Sequence, residues 1–151
     1  MHPVDTDRDP QHGGEEWGKG IDPQALIEAA TEAYERAYAR YSRYQVGAAV
    51  LDDAGRVHTG SNVENAVYPL TMCAERVAIF KAVSSGARRI VAVAVVTQDA
   101  GPPCGSCRQV MREFADDDMP VFIADLEGHC RTLSLGALLP DSFTAENLSD
   151  V

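Results

Sequence analysis

Three cysteines and one glutamate are the residues of this chain whose types and spacing could do chemistry. Cys104 and Cys107 stand three positions apart, about one turn of a helix, so both sulfurs can face one point. Cys73 comes earlier in the chain, and Glu75 follows it after one intervening residue. Three thiolates suit Zn²⁺, because the metal binds sulfur tetrahedrally and three protein ligands leave a fourth position for water. The pattern therefore predicts a catalytic zinc site.

Glu75 is the candidate proton carrier of this site. It lies close enough to a ligand to approach the open metal position without being needed as a ligand. A carboxylate beside a metal-activated water can take its proton and deliver it elsewhere. Both cysteine groups are expected at helix N-termini, where the dipole favours the thiolate, and Arg76 or Arg108 could donate to a sulfur. Together these are the parts needed for metal-assisted hydrolysis.

Other uses of the cysteines stay open at this point. A single Cys-x-x-Cys pair could be a structural zinc site or a redox pair, although a third cysteine in a matching position weakens the redox interpretation. A closed site of four thiolates would need Cys130, which follows a later strand and has no partner at ligand spacing. The histidines are expected to offer no rival ligand set, since they are scattered as His2, His12, His58 and His129.

The elements that must position these residues follow from the hydrophobic pattern. Asp22-Pro23 predicts the start of a helix, and apolar residues at helical spacing extend it to Tyr41 through Leu26, Ala30, Ala33 and Ala37. Helical composition predicts two further helices, over 73–83 and 105–115. Apolar, β-rich runs predict strands over 46–51, 57–60, 90–96, 121–124 and 130–133.

The order of these elements predicts an α/β fold. Strands and helices alternate in the second half of the chain, which indicates parallel crossovers on a sheet covered by helices. The hairpin at the front is antiparallel, so the sheet is expected to be mixed, with both cysteine-bearing junctions at one end. Residues 21–151 are predicted to form this catalytic domain, and residues 1–20, rich in Gly, Pro and acids, a flexible acidic tail.

Composition and charge limit the partners of such a domain. The 151 residues are enough for one domain with a real core. Thirteen basic against 23 acidic residues give a net charge of −10, which argues against binding to nucleic acid or an anionic membrane. No stretch approaches the roughly 20 apolar residues of a membrane-spanning helix, and the acidic N-terminus is unlike a secretory signal. The expectation is a cytoplasmic protein that takes a small molecule.

Three runs of sequence, in this order, carry a more specific signal. They are Gly-Ser-Asn-Val-Glu-Asn-Ala-Val-Tyr at 60–68, Cys-Ala-Glu-Arg at 73–76 and Pro-Cys-Gly-Ser-Cys-Arg-Gln at 103–109. With the stretches 41–49 and 138–143, they closely resemble the small homotetrameric cytidine deaminases over about residues 22–148. The resemblance implies a three-layer α/β/α fold with a mixed five-stranded sheet, and a homotetramer whose sites are shared between subunits.

The same resemblance implies a reaction and the residues that perform it. Cys73, Cys104 and Cys107 would bind zinc. Glu75 would take the proton of the attacking water and would then protonate N3 of the pyrimidine and the leaving amine in successive transfers, as in zinc deaminases generally. Cytidine and 2′-deoxycytidine would become uridine and 2′-deoxyuridine with release of ammonia, a step of pyrimidine salvage.

Contacts to the nucleoside are implied in the same way. Asn62 and Glu64 match the residues that hold the ribose hydroxyls. Ala74 would offer its backbone to the pyrimidine edge. Tyr68 and Phe143 match positions that complete or cover the site of a neighbouring subunit.

The chain departs from the family at two positions of the site. Tyr44 stands where the family usually has a Phe stacked on the base; a Tyr ring can still stack, but its hydroxyl needs a partner. Pro102 stands where Ser or Thr is common, and it keeps the backbone carbonyl that is expected to make the contact.

Four functions are compatible with these residues. The leading one is deamination of free cytidine and 2′-deoxycytidine. A deaminase of a modified cytosine nucleoside such as blasticidin S is kept open by Tyr44. A deaminase of bases within nucleic acid would need a cationic groove, which the net charge disfavours. A zinc-stabilised binding module would leave Glu75 without a role.

Overall fold

The computed structural model describes residues 20–148. Its helices are α1 Pro23–Tyr34, α2 Ala74–Ser84, α3 Gly105–Phe114 and α4 Leu135–Leu138. Its strands are β1 Val46–Asp52, β2 Val57–Ser61, β3 Ile90–Thr97, β4 Pro120–Ala124 and β5 Cys130–Ser134. Short 3₁₀ turns span Tyr68–Leu70 and Ala145–Asn147.

The five strands form one mixed sheet in the order β2-β1-β3-β4-β5. β3 and β4 are parallel, because α3 carries the chain back between them, and the other neighbouring pairs are antiparallel. The hairpin, the parallel crossover and the strand count predicted from the sequence are therefore confirmed.

Helices cover both faces of this sheet and create two apolar cores. One core lies between α1 and the sheet and includes Leu26, Ala30 and Phe122. The other lies under α2 and α3 and includes Ile79, Met111 and side chains of β3 and β4. β3 is apolar along its length because it contributes to both cores. The layers are thus helix, sheet and helix.

Two glycines let the helices approach the hairpin closely enough to fix the site. A Cβ on Gly47 would overlap the carbonyl oxygen of Ala30 in α1, and a Cβ on Gly60 would overlap that of Ala74 in α2. Any larger residue at either position would push a helix away from the sheet. Since Ala74 begins α2, Gly60 sets the depth at which the N-terminus of that helix lies.

The first helix starts where the sequence predicts but ends earlier. The Asp22 carboxylate accepts the backbone N–H of Ala25 at 3.2 Å, as an N-cap should. The prediction that the helix continues to Tyr41 is wrong. The Tyr38 amide instead donates to the Asn62 carbonyl at 2.9 Å, and the Glu64 amide donates to the Tyr38 carbonyl at 2.8 Å. Long-range backbone pairing has overridden the apolar periodicity, and Ala37 and Tyr41 lie beyond the helix.

The predicted acidic tail over 1–20 lies almost entirely outside the described residues, so its predicted flexibility stays a prediction. Within residues 20–148, every helix is too short or too polar to cross a membrane.

A buried carboxylate closes the hairpin at the end of the sheet away from the cysteines. Asp52 is 1% exposed. It accepts the backbone N–H groups of Ala54 and Arg56 and the Arg56 Nε at 2.9–3.0 Å, and it lies 2.9 Å from His58 Nε2. Burial alone would raise the pKa of Asp52, but the hydrogen bonds from His58 and Arg56 outweigh it and lower the pKa from 3.8 to about 2.

We expect Asp52→Ala to lower the free energy of unfolding by about 3 kcal/mol near neutral pH, because it removes the buried acceptor that Ala54, Arg56 and His58 share. Since the folded pKa lies below that of the unfolded chain, the part of this contribution that depends on ionisation of Asp52 is present above about pH 4 and is lost as the pH falls through about 2. Urea unfolding across this range measures it.

Asp53→Ala is the matched control, because Asp53 is exposed in the same turn and should change stability by less than about 0.5 kcal/mol. Equal effects of the two substitutions, or an Asp52 effect that does not shrink with acid, would contradict the assignment.

Candidate active site

The three predicted zinc ligands meet where two helices begin. Cys73 is the N-cap of α2, Cys104 is the N-cap of α3, and Cys107 lies in the first turn of α3. Both caps have extended backbone, so each chain enters its helix from a loop and presents its side chain at the helix end. The two cysteine-bearing junctions therefore lie together, as the alternation of elements suggested.

The three sulfurs have the spacing of a metal site. All lie within 4.8 Å of one another, and the sulfurs of Cys73 and Cys104 are 3.9 Å apart. A tetrahedral zinc ion with Zn–S bonds near 2.3 Å separates its sulfur ligands by about 3.8 Å. The donor set and its geometry thus fit Zn²⁺ with three protein ligands.

Hydrogen bonding and positive charge support a thiolate at Cys73. Arg76 Nη2 donates to the Cys73 sulfur at 3.2 Å, which is one of the two alternatives expected from the sequence. A hydrogen bond from Cys107 and the Arg76 guanidinium lower the pKa of the Cys73 thiol to about 5. Arg108 behaves differently, because its guanidinium donates to the carbonyls of Pro103 and Leu138, each at 2.8 Å. It braces the loop before Cys104 rather than a sulfur.

Glu75 lies in the first turn of α2 beside this cluster. Its side chain is buried, with the residue only 4% exposed. Burial raises the pKa of the Glu75 carboxyl, and hydrogen bonding to Cys107 opposes that rise. A carboxyl with a raised pKa exchanges protons more readily near neutral pH, as a general acid and base must. The structure therefore places a buried carboxyl group next to three metal-type ligands.

Asn62 hydrogen-bonds the backbone of the segment before β1 through both ends of its amide. Its Nδ2 donates to the Tyr44 carbonyl at 2.8 Å, and its Oδ1 accepts the Val46 N–H at 2.9 Å. These bonds hold the segment that leads into β1. Asn62 is buried, yet an amide still has one N–H and one lone pair to offer a ligand.

Glu64 holds the preceding part of the same segment. Its carboxylate accepts the backbone N–H of Tyr41 at 2.9 Å and of Ser42 at 3.1 Å, and it also accepts the Ser42 hydroxyl. The hydrogen bonds from Ser42 lower the pKa of Glu64. The acid is thus a fixed acceptor, which is the property that recognition of a sugar hydroxyl needs.

Tyr44 and Asp99 form a contact that sequence reasoning missed. The Tyr44 hydroxyl donates to Asp99 Oδ1 at 2.7 Å, while 42% of Tyr44 stays exposed. The two residues are 55 positions apart, so no local pattern pairs them. The one available signal was that a Tyr in place of the usual Phe needs a partner for its hydroxyl.

The remaining predicted contacts are Ala74, directly after the ligand Cys73, and two exposed aromatic residues. Ala74 is fully buried at the first position of α2. Tyr68 is 70% exposed and meets the Tyr41 ring edge-on, with centroids 5.9 Å apart. Phe143 is 59% exposed and its carbonyl accepts Gln109 Nε2 on α3. Their proposed roles stay predictions.

Other ligand-type side chains lie elsewhere. Cys130 lies half-buried on β5, outside the cysteine cluster, and its thiol contacts the Arg131 carbonyl at 3.7 Å. His129 lies in the turn before β5 with Asp125 and Glu127, a second group with ligand atoms within 4.8 Å, contrary to the expectation for the histidines. Glu127 and His129 are exposed and His129 hydrogen-bonds Asp125, as polar turn residues commonly do.

The sequence that contains this site matches a known protein family. Residues 21–123 match the family model described as the cytidine and deoxycytidylate deaminase zinc-binding region. The chain belongs to this deaminase family. The matched range contains both cysteine-bearing junctions and Glu75, so membership makes the chain a zinc-dependent enzyme rather than a zinc-stabilised binding module.

Comparisons with individual deaminases agree over most of the chain. A cytidine deaminase from Halalkalibacterium halodurans is 51% identical over 132 residues, which is 86% of this chain and 100% of that protein. The crystal structure of a cytidine deaminase from Burkholderia pseudomallei has a TM-score of 0.77 at 48% identity, covering 82% of this chain and 100% of that one. The predicted cytidine deaminase-like fold is confirmed.

A more distant relative bears on the alternative substrate. A blasticidin-S deaminase from Bacillus cereus is 30% identical over 129 residues, 79% of this chain and 90% of that protein. Its identity is well below that of the two cytidine deaminases. Both of those cytidine deaminases are therefore more similar to this chain than this blasticidin-S deaminase is.

Proposed function

We propose that this enzyme hydrolytically deaminates cytidine and 2′-deoxycytidine to uridine and 2′-deoxyuridine, releasing ammonia. The observation that carries the proposal is the convergence of three sulfurs within 4.8 Å beside the buried Glu75. Family membership supplies the reaction class. The geometry supports the proposal because it brings the proposed metal ligands and the proposed proton carrier together.

Cys73, Cys104 and Cys107 would hold the zinc ion. Bound there, zinc acts as a Lewis acid that makes a water molecule nucleophilic near neutral pH. The Arg76 guanidinium, 3.2 Å from the Cys73 sulfur, offsets part of the negative charge of three thiolates. The two helix N-termini act in the same direction.

Glu75 would move the protons. Its carboxylate takes one proton from the attacking water and delivers it to N3 of the pyrimidine. It then takes the proton of the hydroxyl formed at C4 and delivers it to the exocyclic nitrogen, which leaves as ammonia while the C4 carbonyl of uridine forms. Without that delivery the leaving group would be an amide anion, which is far too basic to depart at neutral pH. Burial keeps competing bulk water away from this exchange.

The nucleoside would be bound by four residues, Asn62, Glu64, Tyr44 and Ala74. Glu64 and Asn62 offer an acceptor and an amide to the ribose hydroxyls. The Tyr44 ring offers an apolar face to the base, and the backbone of Ala74 offers hydrogen bonds to the pyrimidine edge. The site would then recognise a free nucleoside rather than a polymer.

A second candidate is a deaminase of a modified cytosine nucleoside such as blasticidin S. The observation that favours it is Tyr44, whose hydroxyl changes the lining of the site relative to the usual Phe. The lower identity to the blasticidin-S deaminase ranks this candidate second.

Assembly into a homotetramer would complete the site. Exposed aromatic rings at Tyr68 and Phe143 need a cover, and neighbouring subunits could provide it. We assign the activity to residues 21–151, with 1–20 as an acidic tail, and place it in pyrimidine salvage. Free thiols as ligands are suited to the reducing cytoplasm. Light scattering after size exclusion tests the tetramer, and a monomer that is fully active would refute shared sites.

The activity is tested with zinc-loaded protein and a panel of cytidine, 2′-deoxycytidine and blasticidin S. We expect loss of cytidine absorbance matched by one ammonia per uridine formed, and loss of that activity after removal of zinc by a chelator. Turnover of blasticidin S alone would favour the second candidate. No turnover of any of the three would refute the proposed function.

A further inference from the structure

The hydroxyl of Tyr44 lies in a hydrogen-bonded site formed by the loop after β3. Asp99 Oδ1 accepts this hydroxyl at 2.7 Å and also accepts the Thr97 hydroxyl at 3.1 Å. Thr97 Oγ1 in turn accepts the Gly101 N–H at 2.6 Å. The loop also holds Ala100 at φ 53°, a left-handed conformation that a residue with a Cβ adopts only when its surroundings impose it.

Gly101 leaves the space that the Tyr44 hydroxyl occupies in this site. A Cβ added to Gly101 would overlap the Tyr44 hydroxyl oxygen and would also crowd Asp99 and Thr97 at 3.3 and 3.4 Å. The backbone of Gly101 does not itself require glycine, because its φ lies outside the left-handed region. What glycine provides here is the room for one phenolic oxygen.

The other end of Tyr44 is held by the candidate ribose-binding residues. Its carbonyl accepts Asn62 Nδ2 at 2.8 Å, and its N–H donates to the Ser42 hydroxyl oxygen at 3.0 Å. Ser42 is bound by the Glu64 carboxylate. Tyr44 therefore connects the segment before β1 with the loop that leads to Cys104, and each end of the connection has its own hydrogen bonds.

At neutral pH the Tyr44 hydroxyl remains the donor and the Asp99 carboxylate remains the acceptor of their hydrogen bond. Burial raises the pKa of the Tyr44 phenol, so it stays a donor. The hydrogen bond from Tyr44 lowers the pKa of Asp99, so it stays a carboxylate. A neutral donor facing a charged acceptor makes a stronger hydrogen bond than two neutral groups do.

We propose that Asp99 is a positioning residue for the deamination, acting through the Tyr44 hydroxyl to fix the aromatic ring over the nucleoside site. The inference rests on the proposed function. A ring held in its binding orientation before the substrate arrives loses no rotational freedom when the base stacks on it, so the contact acts on binding of the substrate rather than on the chemical step.

The test compares steady-state kinetics on cytidine for single variants of the pair. Asp99→Ala and Tyr44→Phe should each raise KM by about three- to tenfold with kcat within about twofold of wild type. Asp99→Asn keeps an acceptor oxygen and should return KM to within about twofold of wild type. Asp118→Ala, an exposed acid beyond the far end of α3, is the control for charge alone.

Two double variants separate positioning from a general structural role. In the Tyr44→Phe background, Asp99→Ala should add nothing further to KM. Gly101→Ala should raise KM in the wild type but be tolerated in Tyr44→Phe, because that variant lacks the oxygen that the new methyl group would strike. Zinc content and melting temperature are measured for every variant, so that unfolding or metal loss is detected.

Additive effects of Asp99→Ala and Tyr44→Phe would overturn the proposal, as would equal harm from Gly101→Ala in both backgrounds. A fall in kcat with unchanged KM would also overturn it, because the contact would then act on the chemical step. Wild-type turnover of cytidine is measured first. Absence of that turnover refutes the proposed function, whereas turnover without coupling refutes only the role of Asp99.

Discussion

Replacement of Glu75 by glutamine is expected to lower kcat for cytidine by about 10⁴-fold while the protein keeps its zinc. One general acid or base commonly contributes 10²- to 10⁴-fold to the rate, and Glu75 is proposed to act first as base and then as acid in the same turnover. The upper end of that range is therefore expected. The cysteines are untouched by the substitution, so metal content should stay the same.

Stability should not explain the loss. Glutamine has the shape of glutamate, and burying a neutral amide costs less than burying a carboxylate. Because Glu75 is only 4% exposed, we expect the melting temperature of the zinc-loaded variant to stay level or to rise. Zinc analysis, thermal unfolding and the ultraviolet assay of cytidine measure the three quantities on one preparation.

Glu113→Gln is the matched control, since Glu113 is an exposed glutamate on α3. It should leave kcat within about twofold of wild type. If Glu75→Gln kept more than a tenth of wild-type kcat, the assignment of Glu75 as the proton carrier would be wrong.

Loss of one thiolate is expected to have the second large effect. Cys107 is fully buried and its sulfur lies in the cluster with Cys73 and Cys104. Cys107→Ser should weaken zinc affinity by more than about 100-fold, because even residues that only support metal ligands contribute 10- to 100-fold. Deaminase activity should fall by at least about 10³-fold at zinc concentrations that saturate the wild type.

Cys130→Ser is the control that the chain itself offers. Cys130 is a thiol outside the cluster, and its substitution should leave one zinc per chain and full activity. Competition with a chromophoric chelator measures the affinities, and wild-type protein stripped of metal shows what zinc loss alone does to stability. Full zinc occupancy in Cys107→Ser, or zinc loss in Cys130→Ser, would contradict the proposed ligand set.

The cysteine cluster could be predicted because its logic is local. Cys104 and Cys107 share one helical turn, and Cys73 repeats the same loop-to-helix junction. Alternating strands and helices then require both junctions to lie at one end of the sheet. The mixed five-stranded sheet followed from the same alternation together with the antiparallel hairpin.

Features that depend on distant pairing could not be predicted. The apolar spacing that starts α1 runs on to Tyr41, and only the pairing of Tyr38 with the 62–64 segment ends the helix earlier. Asp52 reads as an ordinary turn residue, and its burial follows from the packing of the hairpin end. Asp99 is an unremarkable loop acid until Tyr44 is placed beside it.

The bonds of Arg108 have a consequence for how the enzyme is made. Arg108 donates to the carbonyl of Pro103, next to Cys104, and to the carbonyl of Leu138, thirty residues after Arg108. A nascent chain that has not yet emerged past Leu138 lacks one of the two acceptors that brace this loop. On the ribosome, therefore, the metal site can be fully braced only after β4, β5 and α4 have been synthesised.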